Sequence, residues 1–421
     1  MKRFGVLLLA ALLASCGRAT YSQDRVAESL IQLCKNEYGL KVKAQFVKTT
    51  LGVMVEVPGL IDELRKHAPD SIPEAPPVLI EGRYTQDAFD FRVVTKGSFV
   101  RVPRRLPDDD RPPREPSAPI KKLQQVSTAI MRICLSTDAP VEFYKLIARD
   151  PGPDHLDVIF AGHVLDSKRV QFYAISVSDL QSRNEISLRR QPEEIARATV
   201  FQFIRDLRTK PLSQLLSRYA APSKRFGDLM PMISRVTADL NGEEEKILEE
   251  MEQWPVRQIE KDAVLLCVPL HAVGDPGAFL FTVQIQDTDG SLSAIDRLGT
   301  LSSLTSAHQH LGSPEHWGDS FYLEPLSLPV FLADQIAKRA MTEFKPVDPE
   351  SPKAASLKLS TADEVARALL DATTYVVKSY DFKDFQEITV VDALKGTRWA
   401  VPAAELPLYQ RRNSPDLKPV P

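Results

Sequence analysis

The chain reads as an α+β protein, with several small helix-plus-antiparallel-sheet (α-β-β) modules around a central helical and antiparallel β domain. Three observations predict it. One-face helical spacing of apolar residues passes directly into strand-like alternation near the start. That succession returns one hundred residues later and again near the end. Between these segments, a run of helices precedes alternating strands punctuated by a turn signal.

The first module opens at Ser22, a residue suited to capping a helix whose Val26, Leu30, Leu33 and Cys34 share one face. Gly39 suits the helix stop, because it tolerates the left-handed conformation that ends many helices. Val42, Ala44 and Phe46 then alternate with polar residues, and after Lys48-Thr49-Thr50 the residues Leu51, Val53, Val55 and Val57 do the same. Two such runs around a short turn predict a hairpin. Ala88–Val94 and Ser98–Val102 predict a second hairpin around Lys96-Gly97.

Val126, Ile130, Ile133 and Cys134 repeat the first helical pattern at an offset of 100, ahead of strand-like Val141–Arg149 and Leu156–Ala161. This suggests an internal duplication. Near the C-terminus Thr361 caps a helix carrying Val365, Leu369, Ala372 and Val376, with strands at Phe385–Val391 and Thr397–Val401 around Lys395-Gly396. In the middle, Pro192 with Glu193 and Glu194 opens a helix, since proline suits the first turn and acids suit the positive helix end. Its inner face would include Ile195, Ala198, Phe201 and Ile204, and a second helix carries Leu212, Leu215, Leu216 and Tyr219. Acidic Asn241–Glu252 offers Ile247, Leu248 and Met251 as apolar positions. Strands follow at Ala263–His271, Ala278–Gln286 and Ser291–Ile295, with Asp289-Gly290 as a turn. Residues 298–328 read as a loop and 329–345 as an apolar helix with Val330, Phe331, Ile336 and Met341.

These elements divide the chain into 1–15, a signal segment; 16–102, an α-β-β module; 103–119, a linker; and 120–189, a second α-β-β module. Beyond them lie 190–300, the central helices and sheet; 301–345, a loop and helix; and 346–421, a last α-β-β module with a proline-rich tail. The linker holds six prolines, four arginines and four acids with almost nothing to bury, so it reads as semi-rigid and extended. Asp108-Asp109-Asp110 within it reads as a solvated surface.

Composition limits the function. Among 421 residues, 53 basic side chains face 56 acidic ones for a net charge of −3, with no basic excess to hold nucleic acid. With 43% hydrophobic residues the chain has enough to bury real cores.

The N-terminus is the most specific signal. Lys2 and Arg3 precede an apolar run from Phe4 to Ala14, too short for a bilayer span of about 20 residues and suited to a signal segment. The run ends in Leu13-Ala14-Ser15-Cys16, which resembles the lipobox of bacterial lipoproteins. That resemblance implies that Leu13, Ala14 and Ser15 are read by the signal peptidase. Cys16 would then receive a covalent diacylglycerol and an N-acyl chain, and two or three acyl chains anchor stably where one is marginal. Loss of Lys2 and Arg3 would take the net charge from −3 to −5. Gly17, where such lipoproteins carry aspartate if retained in the inner membrane, implies the outer membrane, facing the periplasm. With Gly17 to Ser22 as tether, the folded body would start within about 20 Å of the bilayer. The chain is similar to bacterial lipoproteins with an α-β-β start after the lipobox, a likeness that brings no activity with it.

Of the four cysteines, Cys34, Cys134 and Cys267 would remain, an odd and widely spaced set that reads as buried thiols, with a Cys34–Cys134 bridge as the alternative. G-x-S-x-G, H-E-x-x-H, G-x-x-x-x-G-K-[ST] and G-x-G-x-x-G are all missing from the sequence. Asp287-Thr288-Asp289-Gly290 resembles part of a calcium loop, but aligning Gly290 with the required glycine puts Ile285 at the first ligand position. The one concentration of metal-ligand types is His308, His310 and His316, with Glu315 and Asp319, beside Trp317, Phe321 and Tyr322. They read as a loop contacting a partner or solvent, with a metal-dependent hydrolase as the remote alternative.

The expectation is a non-catalytic, membrane-anchored envelope lipoprotein that works as a protein-interaction scaffold, with envelope proteins as partners and no cofactor beyond its lipid. Helices followed by a curved antiparallel sheet also resemble nuclear-transport-factor-like cone domains, which often enclose a pocket. That resemblance implies the alternative, a binding protein for a small apolar or lipid-like ligand within 190–300.

Overall fold

The computed structural model describes residues 21–67, 77–102, 116–207, 209–220, 233, 244–269, 278–287, 297–307, 317–318, 321–347, 358–409 and 416–420. The fold is α+β. The chain runs α1 (Val26–Tyr38), β1 (Val42–Val47), β2 (Thr50–Glu56), α2 (Leu60–His67), β3 (Val78–Thr85), β4 (Ala88–Thr95) and β5 (Phe99–Arg101). It continues through α3 (Ala118–Ser136), β6 (Phe143–Arg149), β7 (Leu156–His163), α4 (Val164–Gln171), α5 (Val177–Arg183) and β8 (Glu185–Arg190). Next are α6 (Pro192–Leu207), α7 (Leu212–Tyr219), α8 (Glu244–Glu249), β9 (Val256–Glu260), β10 (Ala263–Pro269), β11 (Ala278–Asp287) and β12 (Arg297–Ala307). Last come α9 (Leu328–Met341), β13 (Phe344–Pro346), α10 (Ala362–Ser379), β14 (Glu387–Asp392), β15 (Arg398–Pro402) and α11 (Leu406–Tyr409). Among the described residues, no helix is long and apolar enough to cross a membrane.

Two compact units are threaded from interleaved segments. The first gathers Met1–Glu63, Glu115–Leu165 and Ile186–Pro325; the second gathers Leu64–Arg114, Asp166–Glu185 and Leu326–Pro421. Segments contiguous along the chain are therefore divided between units, the stretch 16–102 among them.

In the first unit a five-stranded sheet has the order β1-β2-β6-β7-β8. Hairpins β1–β2 and β6–β7 are joined by a parallel pair, β2 with β6, running from Thr50 opposite Phe143 to Glu56 opposite Arg149. Helix α1 ends at Gly39, whose φ of 66° fits the expected cap. Val26, Leu30, Leu33 and Cys34 of α1 and Val126, Ile130, Ile133 and Cys134 of α3 all enter one core over the same sheet face. The similar patterns thus mark two helices sharing one core. Their hairpins occupy different places in the sheet, β1 at an edge and β6 in the interior. On another part of this sheet, Phe321 and Leu323 pack on Met54, Ile147 and Ile159. Gln45 Nε2 donates to the Phe321 carbonyl at 2.8 Å, securing this strap.

The other sheet of the first unit is an antiparallel meander, β9-β10-β11-β12, covered by α6. Helix α6 faces it with Ile195, Ala196, Val200, Phe203 and Ile204, where the sequence pointed to Ala198 and Phe201. Steps of three drift off a 3.6-residue helix, and the buried stripe recovers the true period. Strand β12 lies where a loop was expected; its Gly, Ser and Thr carry no alternation, and the ladder to β11 supplies the order. Ser291–Ile295 and the Asp289-Gly290 turn lie outside the described residues.

The second unit has a four-stranded sheet, β15-β14-β4-β3, in which hairpins β3–β4 and β14–β15 meet through a parallel β4–β14 pair. Here β4 turns back on β3, through Gln86 and Asp87 at φ 49° and 61°. The predicted β4–β5 hairpin does not form, and three-residue β5 pairs with β13. Helix α9 lies along β3 and packs on α10. Val365, Leu369, Ala372 and Val376 are buried as expected, as are Phe331 and Ile336, whereas Val330 is exposed.

Candidate functional site

Several of the residues singled out above lie outside the described part. Leu13, Ala14, Ser15 and Cys16 are among them, as are His308, His310, Glu315, His316 and Asp319. Among the described residues no group of three His, Cys, Asp or Glu side chains is placed to hold a metal. Cys34, Cys134 and Cys267 are buried thiols, and burial pushes Cys34 and Cys267 up to about 11.

The region 190–300 was the sequence's place for a ligand. Its space between α6 and the meander is filled by Phe203, Trp254, Phe279 and Phe281, each essentially inaccessible. A cleft of about 600 Å³ does lie in this unit, beside α6, with walls that include His155, Glu194, Gln202, Tyr219 and Thr300. Its Glu194, Arg218 and Arg297 are paired with charges beside the cleft. Buried Asp206 accepts from Tyr219 Oη at 2.7 Å, Lys210 Nζ at 2.8 Å, Gln202 Nε2 at 3.0 Å and Arg218 Nη1 at 3.2 Å. Burial alone would raise the Asp206 carboxyl, but these donors outweigh it and hold it at about 2. Arg297 pairs with Asp262, and Glu194 with Arg197. Such an arrangement braces α6 and α7.

A second buried network anchors the start of α6. Arg149 Nε meets Asp157 Oδ1 at 3.0 Å, Arg149 Nη2 meets Glu193 Oε2 at 3.0 Å, and Arg189 Nη2 meets Asp157 Oδ2 at 3.2 Å. Asp157 is fully buried. Burial would disfavour both charges of the Arg149–Glu193 pair, but mutual attraction prevails, holding Arg149 above and Glu193 below their ordinary values.

The surface departs from ordinary patterning between residues 165 and 190. Strand β8 forms one edge of the five-stranded sheet and alternates half-buried with exposed positions. Its exposed positions carry Ile186, 58% accessible, and Leu188, where an antiparallel edge would usually present polar residues. In the second unit Phe172 and Tyr173, after α4, are 77% and 96% accessible, and Val177 opens α5 with its side chain exposed. Tyr173 sits at φ 56°, uncommon for a bulky residue. Phe172 to Val177 are almost all apolar in sequence and resemble core, so their exposure was not legible there.

Compared with protein-family models, curated proteins and solved structures, the chain matches none. Its function must be argued from its own residues.

Proposed function

We propose that this protein is an envelope lipoprotein, held by lipid on Cys16 at the periplasmic side of the outer membrane, that works as a non-catalytic interaction scaffold. The observation that carries the scaffold role is the apolar edge strand β8, with Ile186 and Leu188 exposed on the last strand of its sheet. A partner adding a strand there would satisfy the backbone and bury the exposed part of both side chains, Ile186 being 58% and Leu188 39% accessible, at about 1 kcal/mol each. In the second unit, taken by itself, the exposed Phe172 and Tyr173 are aromatic side chains of the kind enriched at protein interfaces. The anchoring role is supported by Leu13-Ala14-Ser15-Cys16 behind its apolar run.

Two measurements in intact cells test this. Growth with an alkyne-tagged palmitate should label the wild-type chain and leave Cys16→Ala unlabelled and released from membranes. A photo-crosslinking amino acid at Ile186 or Leu188 should yield discrete protein adducts, while the same group at exposed Lys395 should not. Equal labelling of Cys16→Ala would end the lipoprotein assignment, and an adduct-free β8 would end the scaffold assignment.

A further inference from the structure

Helices α5, α9 and α10 of the second unit surround a cleft of about 320 Å³. One wall is a face of α9 that presents Gln335, Lys338 and Arg339 at one-turn spacing. Opposite stand Tyr375 from α10 and Asp179 and Arg183 from α5.

The carboxylates here are already engaged. Asp179 accepts from Arg183 Nη2 at 3.0 Å. Buried Asp166, behind the cleft, accepts from Arg169 Nη1 at 2.9 Å and Arg183 Nη1 at 3.2 Å, and also from the Tyr380 hydroxyl. Two acids thus face Arg169 and Arg183, with Lys338 and Arg339 as further positive charge. Lys338 donates to the Asn184 carbonyl. Arg339 has no carboxylate partner among the described residues; its guanidinium lies over the Tyr375 ring, 3.5 Å from the centroid. Stacking uses the flat face of the guanidinium and leaves its edge, a rigid fork of N–H donors, for a planar acceptor.

Gln335 points to a ligand independently. Its side chain is only 6% accessible and lines the cleft, yet its amide nitrogen has no hydrogen-bond partner among the described residues. A buried amide left unpaired is costly, so native proteins rarely keep one without a use. It stands one turn of α9 before Arg339, on the same face, and a side-chain rotation toward the cleft would set it beside Arg339 on one acceptor.

We propose that this cleft binds a small anion through a carboxylate or phosphate oxyanion held by Arg339 and Gln335. The volume lies at the lower end of small-ligand sites, which suits a metabolite-sized acid rather than a polymer. Nothing in this assignment depends on lipid at Cys16 or on a partner at β8.

Titration calorimetry of the full-length protein in detergent, with succinate in one arm and inorganic phosphate in the other, tests it against sodium chloride at equal ionic strength. Saturable binding is expected in at least one arm, and which arm responds identifies the oxyanion. Arg339→Gln should weaken that binding about tenfold or more, as loss of a charge-assisted fork would. Gln335→Leu should also weaken it while leaving the melting temperature unchanged or higher, a combination that a purely structural residue would not produce. Absence of saturable binding in both arms overturns the proposal, as does binding that Gln335→Leu and Arg339→Gln leave unaltered.

Discussion

Asp206 shows how a single side chain can organise its surroundings. Four donors converge on its carboxylate, and the charged form is favoured strongly enough to hold the group at about 2. An unfolded aspartate titrates near 3.9, so the folded protein binds this proton less readily than the unfolded chain. The stabilisation is therefore complete above about pH 4 and disappears as pH falls through the folded value. Glu193, held low by Arg149, acts in the same direction. Denaturant titrations should show stability falling steadily from about pH 4 toward pH 2, and Asp206→Asn should be less stable at pH 7 with a flatter acid profile. An equally steep profile in Asp206→Asn would remove the residue from this account. Little of this was legible beforehand, because Gln202, Lys210 and Arg218 look like ordinary surface residues until α6 and α7 fold against each other. The buried cysteines were legible, since Cys34 and Cys134 fall on clear apolar helix faces.

The elements share a plan that the sequence disguises. Each unit builds a sheet from two hairpins joined by a parallel central pair, with one helix along the first strand and another near the third. In the first unit the helix on the first strand, α1, precedes its hairpin, whereas in the second unit the corresponding helix, α9, follows both β3 and β4 in the chain. Where α9 meets β3 the approach is close. A Cβ placed on Gly82 would lie 2.7 Å from the Ala333 carbonyl oxygen, a backbone atom that cannot rotate away. Gly82→Ala should cost about 1–3 kcal/mol through overpacking. Urea denaturation with unchanged slope and a lower midpoint is the expected result, and an unchanged midpoint would show that α9 can move outward freely. Helices and the β1–β2, β10 and β11 strands were readable from period alone. Strand β3 escaped because its turn uses Gln86-Asp87, without the Asn-Gly or Asp-Gly signal that marks most such turns. Strand β12 escaped because its order comes from a neighbour rather than its own alternation.

At the scale of the molecule, interleaving makes the second unit depend on segments far apart in the chain. Its sheet needs β3 and β4 from before residue 96 and β14 and β15 from after residue 386. A chain ending at residue 325 would leave β4 without its parallel neighbour and β3 without α9. A lone hairpin is marginally stable at best in water. In that truncation, limited proteolysis should cut readily within 78–101 while 21–57 and 118–163 stay protected by their own sheet. Protection of 78–101 equal to that in the full chain would show that the hairpin stands alone. What the sequence determined by itself was local: helix faces, hairpins with regular alternation, the α+β class and the resemblance of Leu13-Ala14-Ser15-Cys16 to a lipobox. These depend on residues within a few positions of one another, where period and turn chemistry act directly. Only the tertiary structure decided which strands pair across the chain, that Ile186, Leu188, Phe172 and Tyr173 stay exposed, and that Gln335 and Arg339 share a cleft with Tyr375. Parallel pairing and burial depend on which distant segments meet, and an apolar residue has the same identity whether a partner segment covers it or leaves it in water.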